Sequence, residues 1–145
     1  MANLFIIAAP SGCGKTSLVK ALLESLSNLS VSVSHTTRKP RKAEIDGENY
    51  HFVSKERFGE MISNNDFVEH AEVFWNLYGT ARSNIKEKLD ANIDIILEID
   101  WQGARQVREN MPNSISIFIL PPSKMYYFKG LQTGIKTMRR RFLKG

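Results

Sequence analysis

The sequence predicts an α/β fold in which helices alternate with the strands of a parallel sheet. Three near-continuous apolar segments, at Asn3–Ala9, Ile93–Ile99 and Ser114–Leu120, are typical of strands buried on both faces. Helical periodicity follows the first two segments, and this alternation is typical of a parallel sheet. Clustered short strands predict an inserted smaller lobe over 34–80, between core segments 1–33 and 81–124.

The composition indicates one small globular domain. With 145 residues, 42% of them apolar, the chain has enough material for a single core. The first apolar segment is too short to span a bilayer and the lone Cys13 cannot form an internal disulfide, so we expect no membrane partner and a cytoplasmic location. Residues 1–124 carry 14 Lys or Arg and 15 Asp or Glu, whereas 125–145 carry six basic and no acidic residues. The body lacks a basic face, and no nucleic-acid partner is expected.

The other elements follow from local signals. Leu18, Val19 and Leu22 recur at helical spacing and predict a helix over Thr16–Leu29. The further predicted elements are a strand at Ser30–Ser34, a polar loop over 35–54 that leads to a short strand, a helix capped by Ser54 and ending near Ile62, an alternating segment over 66–80 with a turn at Tyr78–Gly79, and helices over Arg82–Ala91 and 104–110.

A glycine-rich turn joins the first strand to the first helix. Residues 9–16 read "APSGCGKT", the phosphate-loop pattern with alanine in the first place. Such a loop surrounds phosphates with backbone N–H groups, its lysine reaches the outer phosphates, and its hydroxyl can bind Mg²⁺. An ordinary strand-to-helix turn is the alternative, but all parts occur in the order that the motif requires. The residues assigned to phosphate binding are Gly12, Cys13, Gly14, Lys15, Thr16 and Ser17.

A second anion site is predicted over 34–50. Arg38 and Arg41 flank Pro40, and Tyr50 lies on the strand that follows. Guanidinium groups bind phosphate through paired hydrogen bonds, and a phenol adds one donor. A solvated basic loop is the alternative interpretation.

Three carboxylates complete the candidate site. Glu69, beside a buried valine, could accept the N1–H and exocyclic amine of guanine, two donors that adenine does not offer. Glu98 and Asp100 end an apolar strand, where ligands bind in such sheets, and a carboxylate there can hold Mg²⁺. A surface position is the alternative for Glu69.

These motifs together resemble the guanylate kinase family, whose members transfer the γ-phosphoryl group of ATP to GMP. The resemblance covers about residues 3–124, through "APSGCGKTSL", "VSVSHTTRKPRKAEIDGENYHFV", "FVEHAEVF", "YGT", "LEIDWQGA" and "SIFILPPSK". It implies a P-loop nucleoside monophosphate kinase fold, ATP with Mg²⁺, and GMP as the acceptor.

The resemblance also assigns roles to individual residues. It implies catalytic roles for Lys15, Arg38 and Asp100, and Mg²⁺ ligation by Thr16 and Asp100. The residues that it places around GMP are Ser34, Arg38, Arg41, Tyr50, Glu69, Tyr78, Thr80 and Glu98.

The sequence departs from the family in two regions. "WNLYG" stands where members read "GNYYG", so Trp75 replaces a turn glycine at the edge of the predicted lobe. After Lys124 the family's lid, closing strand and last helix are not recognisable, and we interpret 125–145 as a tail read in another frame. Such a chain would be far less active than a complete enzyme, since one transition-state arginine contributes roughly 10³–10⁵ in rate.

Three interpretations therefore remain open. The first is a guanylate kinase, which both sites favour. The second is a non-catalytic guanylate-kinase-like binding module; the intact Gly14-Lys15-Thr16 argues against it. The third is an inactive truncated fragment. Another nucleoside monophosphate kinase is a weaker alternative, which Ser34 and Glu69 oppose, and the oligomeric state cannot be predicted from the sequence.

Overall fold

The computed structural model describes residues 1–10 and 13–120. Predictions about Gly12 in the phosphate loop, and about the tail at 125–145, lie outside the described residues. The strands are β1 (Leu4–Ala8), β2 (Leu29–Val31), β3 (His35–Thr36), β4 (His51–Phe52), β5 (Phe67–Val73), β6 (Asn76–Ala81), β7 (Asp94–Glu98) and β8 (Ile115–Phe118). The helices are α1 (Lys15–Ser25), α2 (Lys55–Ser63), α3 (Arg82–Asp90) and α4 (Trp101–Asn110).

The first sheet is parallel, with strand order β2-β7-β1-β8. Its central strands are buried on both faces, as the continuous apolar segments predict. Ile6 and Leu97 pack with Ile85 of α3 and Val107 of α4, while other residues of the same strands pack with Val19 of α1. The sequence prediction of an α/β fold with a parallel sheet is confirmed.

The edge strand β8 differs from the prediction of a buried strand over Ser114–Leu120. Its residues Ile115, Ile117 and Phe118 are all exposed. Among the described strands β8 pairs with β1 alone. An apolar segment at the edge of a sheet has the same sequence signature as one at its centre, and this is why the burial was predicted wrongly.

The second sheet has strand order β4-β3-β6-β5 and is formed by residues between 35 and 81. Here β5 and β6 form an antiparallel hairpin in which Val73 pairs with Asn76, so the turn consists of Phe74 and Trp75. The predicted turn at Tyr78–Gly79 is wrong, because both residues lie within β6. A side chain at Gly79 would meet the Phe67 ring at 2.8 Å, so this glycine reflects close packing.

Two helix boundaries also differ from the predictions. α1 ends at Ser25 because Leu26 is already extended, and Leu29 pairs with Asp94 in the first sheet. α4 begins at Trp101, three residues earlier than predicted, because the Asp100 side chain caps it. The predicted cap of α2 is confirmed, since the Ser54 side chain accepts a hydrogen bond from the Arg57 backbone N–H. Within 1–10 and 13–120, no helix is long and apolar enough to cross a membrane.

Candidate functional site

The sheet topology places the start of the glycine-rich turn, after β1, next to the carboxylates at the end of β7. β1 and β7 are adjacent and parallel, with Ile7 opposite Glu98. The glycine-rich turn therefore leaves the sheet beside Glu98 and Asp100. This edge, outside the carboxyl ends of parallel strands, is where α/β folds bind ligands.

Backbone N–H donors lie at the N-terminus of α1. Gly14 is the N-cap residue, with φ of 79°, and no side chain among the described residues caps the helix. This left-handed conformation favours glycine. Lys15 is half-buried, Thr16 and Ser17 are exposed, and the first turn holds no acidic residue. Such a helix end favours an anion.

Most of the predicted acceptor residues line one cavity of about 650 Å³, a size typical of sites for small molecules. Thr80 lies behind this cavity, against Glu69, and Lys15 and Thr16 are not among its lining residues. The predicted residues that line it are Ser34, Arg38, Arg41, Tyr50, Glu69, Tyr78, Glu98 and Asp100.

One end of the cavity is built around a buried carboxylate. Glu69 is 6% exposed, and its Oε1 accepts a hydrogen bond of 2.6 Å from the Thr80 hydroxyl. A register shift in β5 between Phe67 and Glu69 turns this side chain toward the cavity. Burial raises the pKa of Glu69, and the nearby charge of Asp100 raises it further. Because burial disfavours the ionised carboxylate, neutral N–H donors from a ligand would stabilise that form.

Two further carboxylates lie at this end. Asp100 Oδ1 accepts a hydrogen bond of 2.8 Å from the Gly103 backbone N–H. Glu98 Oε1 is buried and has no hydrogen-bond partner among the described residues. A buried acceptor without a partner is costly, so this atom is available to a ligand that brings a donor.

The other end of the cavity is cationic. Arg38 is 5.4 Å from the centre of the Tyr50 ring and forms a two-pronged ion pair with Glu44. The hydrogen bonds to Glu44, and to a lesser degree Tyr78, raise the pKa of Arg38. The Arg41 side chain is exposed and lines the same end. These groups are suited to a phosphate.

Glu44 and Gly103 also contribute to this site, although the sequence does not predict them. Glu44 lies within a polar, charged loop, where no local pattern distinguishes it from its neighbours. Gly103 lies so close to Glu69 that a side chain there would meet Oε2 at 2.9 Å. Only the spatial arrangement reveals either role, although the glycine inside a helical pattern is a weak signal of close packing.

Comparison with known proteins agrees with this geometry. A family model described as guanylate kinase matches residues 1–141. The chain is 60% identical over 122 residues to the guanylate kinase of Alkalilimnicola ehrlichii, and 56% identical over 125 residues to that of Escherichia coli K12. These alignments cover 84% and 85% of this chain but 60% of each relative, so the chain spans about three fifths of their length.

A solved structure gives the same result. The crystal structure of guanylate kinase from Anaplasma phagocytophilum matches with a TM-score of 0.72 and 36% identity, over 97% of this chain and 71% of the other. The family model extends to residue 141, whereas the alignments with these two relatives cover 122 and 125 residues. These matches do not favour the alternative of an inactive truncated fragment. The chain belongs to the guanylate kinase family.

Proposed function

We propose that this site transfers the γ-phosphoryl group of ATP to GMP. One observation supports the proposal above all: a single cavity joins a cationic end, with Arg38 and Arg41, to the buried carboxylate of Glu69. A phosphate and a guanine base are the two ends of GMP, and each suits the chemistry of one end of the cavity.

The selectivity for guanine rests on Glu69. An ionised carboxylate that accepts the N1–H and the exocyclic amine pairs with two donors at once. Adenine presents an acceptor at the equivalent ring nitrogen, so AMP would leave the carboxylate opposite a lone pair. Thr80 holds one oxygen of Glu69 in place, which limits how far the group can adapt to a different base.

The second nucleotide would bind at the N-terminus of α1. Uncapped backbone donors, together with Lys15, suit the phosphates of ATP. Phosphoryl transfer needs positioning and charge stabilisation more than covalent catalysis, so Lys15 and Arg38 would carry much of the work of the described residues.

Thr16 and Asp100 would hold Mg²⁺. The described residues contain no group of three or more His, Cys, Asp or Glu side chains arranged around a metal position. Magnesium in kinases is typically bound through one or two protein oxygens together with phosphates, and a hydroxyl and a carboxylate suit that role. When bound, the ion would neutralise charge on the transferring phosphates.

The cytoplasmic location inferred from the single cysteine stays a prediction.

Calorimetric titration of the 145-residue chain tests the two sites separately. We expect GMP to bind and AMP to bind about 5- to 150-fold more weakly, since a mispaired buried carboxylate costs about 1–3 kcal/mol. Lys15→Ala should abolish phosphoryl transfer and ATP binding while leaving GMP affinity nearly unchanged. Equal loss of GMP affinity would show that the two sites are wrongly separated, and GMP binding without any transfer by the unmodified chain would favour a binding module.

A further inference from the structure

The ion pair between Arg38 and Glu44 has a specific geometry. Nη1 of Arg38 donates to Oε2 of Glu44 at 3.0 Å, and Nη2 donates to Oε1 at 2.7 Å. The two side chains are only 16% and 17% exposed. Arg57 and Glu60 also pair at 3.0 Å, but their side chains are more than half exposed and lie outside the cavity.

Glu44 and Lys39 leave a second edge of the Arg38 guanidinium unoccupied by either of them, and the Tyr78 hydroxyl lies beside Arg38. An arginine has five N–H donors. Nη1 uses its second donor on the Lys39 carbonyl at 2.9 Å, so Glu44 and Lys39 together engage three of the five. The other two, on Nε and on Nη2, lie parallel along a second edge, which has the spacing that binds two phosphate oxygens. Arg38 and its neighbour Tyr78 both line the cavity.

Glu44 also contacts the second arginine of the site. Its Oε2 accepts a hydrogen bond of 2.8 Å from the Arg41 backbone N–H. The same carboxylate therefore fixes the Arg38 side chain and the backbone position of Arg41. The hydrogen bonds from Arg38 and Arg41 lower the pKa of Glu44 to about 2, so the group stays ionised at neutral pH.

We propose that Glu44 is a positioning residue for the substrate phosphate, holding the outer edge of Arg38 so that its second edge faces the cavity. This inference rests on the proposed function, because it takes the phosphate of a nucleoside monophosphate as the ligand. A carboxylate this close also repels a phosphate. The proposal holds that the alignment of two arginines outweighs that repulsion.

Substitution of Glu44 by glutamine shows whether the alignment of the arginines by Glu44 outweighs its repulsion of the phosphate. Glu44→Gln keeps the size of the side chain but removes its charge and one of the two oxygen atoms that accept hydrogen bonds from Arg38. We expect GMP affinity to fall about tenfold, which corresponds to one charge-assisted hydrogen bond. Guanosine, which has the base without the phosphate, should bind as it does to the unmodified chain. Glu60→Gln, at the exposed Arg–Glu pair, is the matched control and should leave both affinities unchanged.

The double variant with Arg38→Ala and Glu44→Gln shows whether Glu44 acts through Arg38. In Arg38→Ala, the further change Glu44→Gln should cost little additional GMP affinity, because the group that it aligns is gone. GMP affinity of Glu44→Gln that equals or exceeds that of the unmodified chain would overturn the proposal. An equal loss for guanosine would also overturn it, since the role would then be structural. Failure of the unmodified chain to bind GMP would instead refute the proposed function itself.

Discussion

The close approach of α4 to Glu69 leads to a specific prediction about Gly103. A Cβ atom at Gly103 would lie 2.9 Å from Glu69 Oε2, 3.3 Å from its Cδ and 3.3 Å from the Ile99 side chain. The Glu69 carboxylate is buried and hydrogen-bonded to Thr80, so it cannot move aside freely. Gly103→Ala should therefore displace the carboxylate that we assign to guanine.

A second helical glycine provides the reference for the magnitude. At Gly59, in α2, an added Cβ meets nothing within 4 Å. Gly59→Ala should stabilise the protein by about 1 kcal/mol, through helix propensity alone. Gly103→Ala gains the same propensity term but has to accommodate the contact with Glu69, and such overpacking costs about 1–3 kcal/mol. We therefore expect Gly103→Ala to be less stable than Gly59→Ala by about that amount.

The assay combines urea denaturation with titration of GMP and AMP. Gly59→Ala should raise the denaturation midpoint and leave both nucleotide affinities unchanged. Gly103→Ala should lower GMP affinity while leaving AMP affinity nearly unchanged. The preference for GMP over AMP should therefore become smaller. If the two alanine variants have the same stability and the same GMP preference, the contact between α4 and Glu69 does not constrain the carboxylate, and this reasoning is refuted.

Three further perturbations test other parts of the site. Glu69→Gln should weaken GMP binding about tenfold to a hundredfold and AMP binding far less; in calorimetry, an unchanged preference would remove Glu69 from the base site. Trp75 is 84% exposed with φ of 66°, so in thermal denaturation Trp75→Gly should be about 1 kcal/mol more stable than Trp75→Ala, and equal stability would contradict backbone strain. Burial, followed by the charge of His51, lowers the pKa of His35 from 6.5 to about 4. As the pH falls from 6.5 to 4, His35 is protonated in the unfolded chain before it is protonated in the folded chain. The free energy of unfolding should therefore fall by about 1–3 kcal/mol over this pH range. In urea denaturation at successive pH values, His35→Gln should make this loss of stability smaller.

The central strands and the glycine-rich turn were predictable because their signals are local. Continuous apolar segments predict strands buried between two helical layers, and β1 and β7 are such strands. The order of strand, glycine turn, lysine and helix likewise requires no knowledge of the rest of the fold. The residues proposed for the acceptor site were predicted from their chemistry together with the family resemblance, and most of them line one cavity.

The remaining features depend on contacts between distant segments. The hairpin turn at Phe74–Trp75 was missed because neither residue is typical of the left-handed conformation that it adopts, with φ of 49° and 66°. The sequence predicts a turn at Gly79, but a glycine is needed there because the Phe67 ring leaves no room for a side chain. The roles proposed for Glu44 and Gly103 depend on their contacts with the site residues Arg38, Arg41 and Glu69, and no spacing along the chain encodes such contacts.

A crystal structure of the 145-residue chain with GMP would show whether the cavity binds this nucleotide in the proposed orientation. We expect the guanine N1–H and exocyclic amine to lie within hydrogen-bond distance of the Glu69 carboxylate. We also expect the phosphate to lie against the edge of Arg38 that Glu44 does not contact, near Arg41 and Tyr50. GMP bound at the N-terminus of α1, or bound in the cavity with its base away from Glu69, would contradict the proposed function.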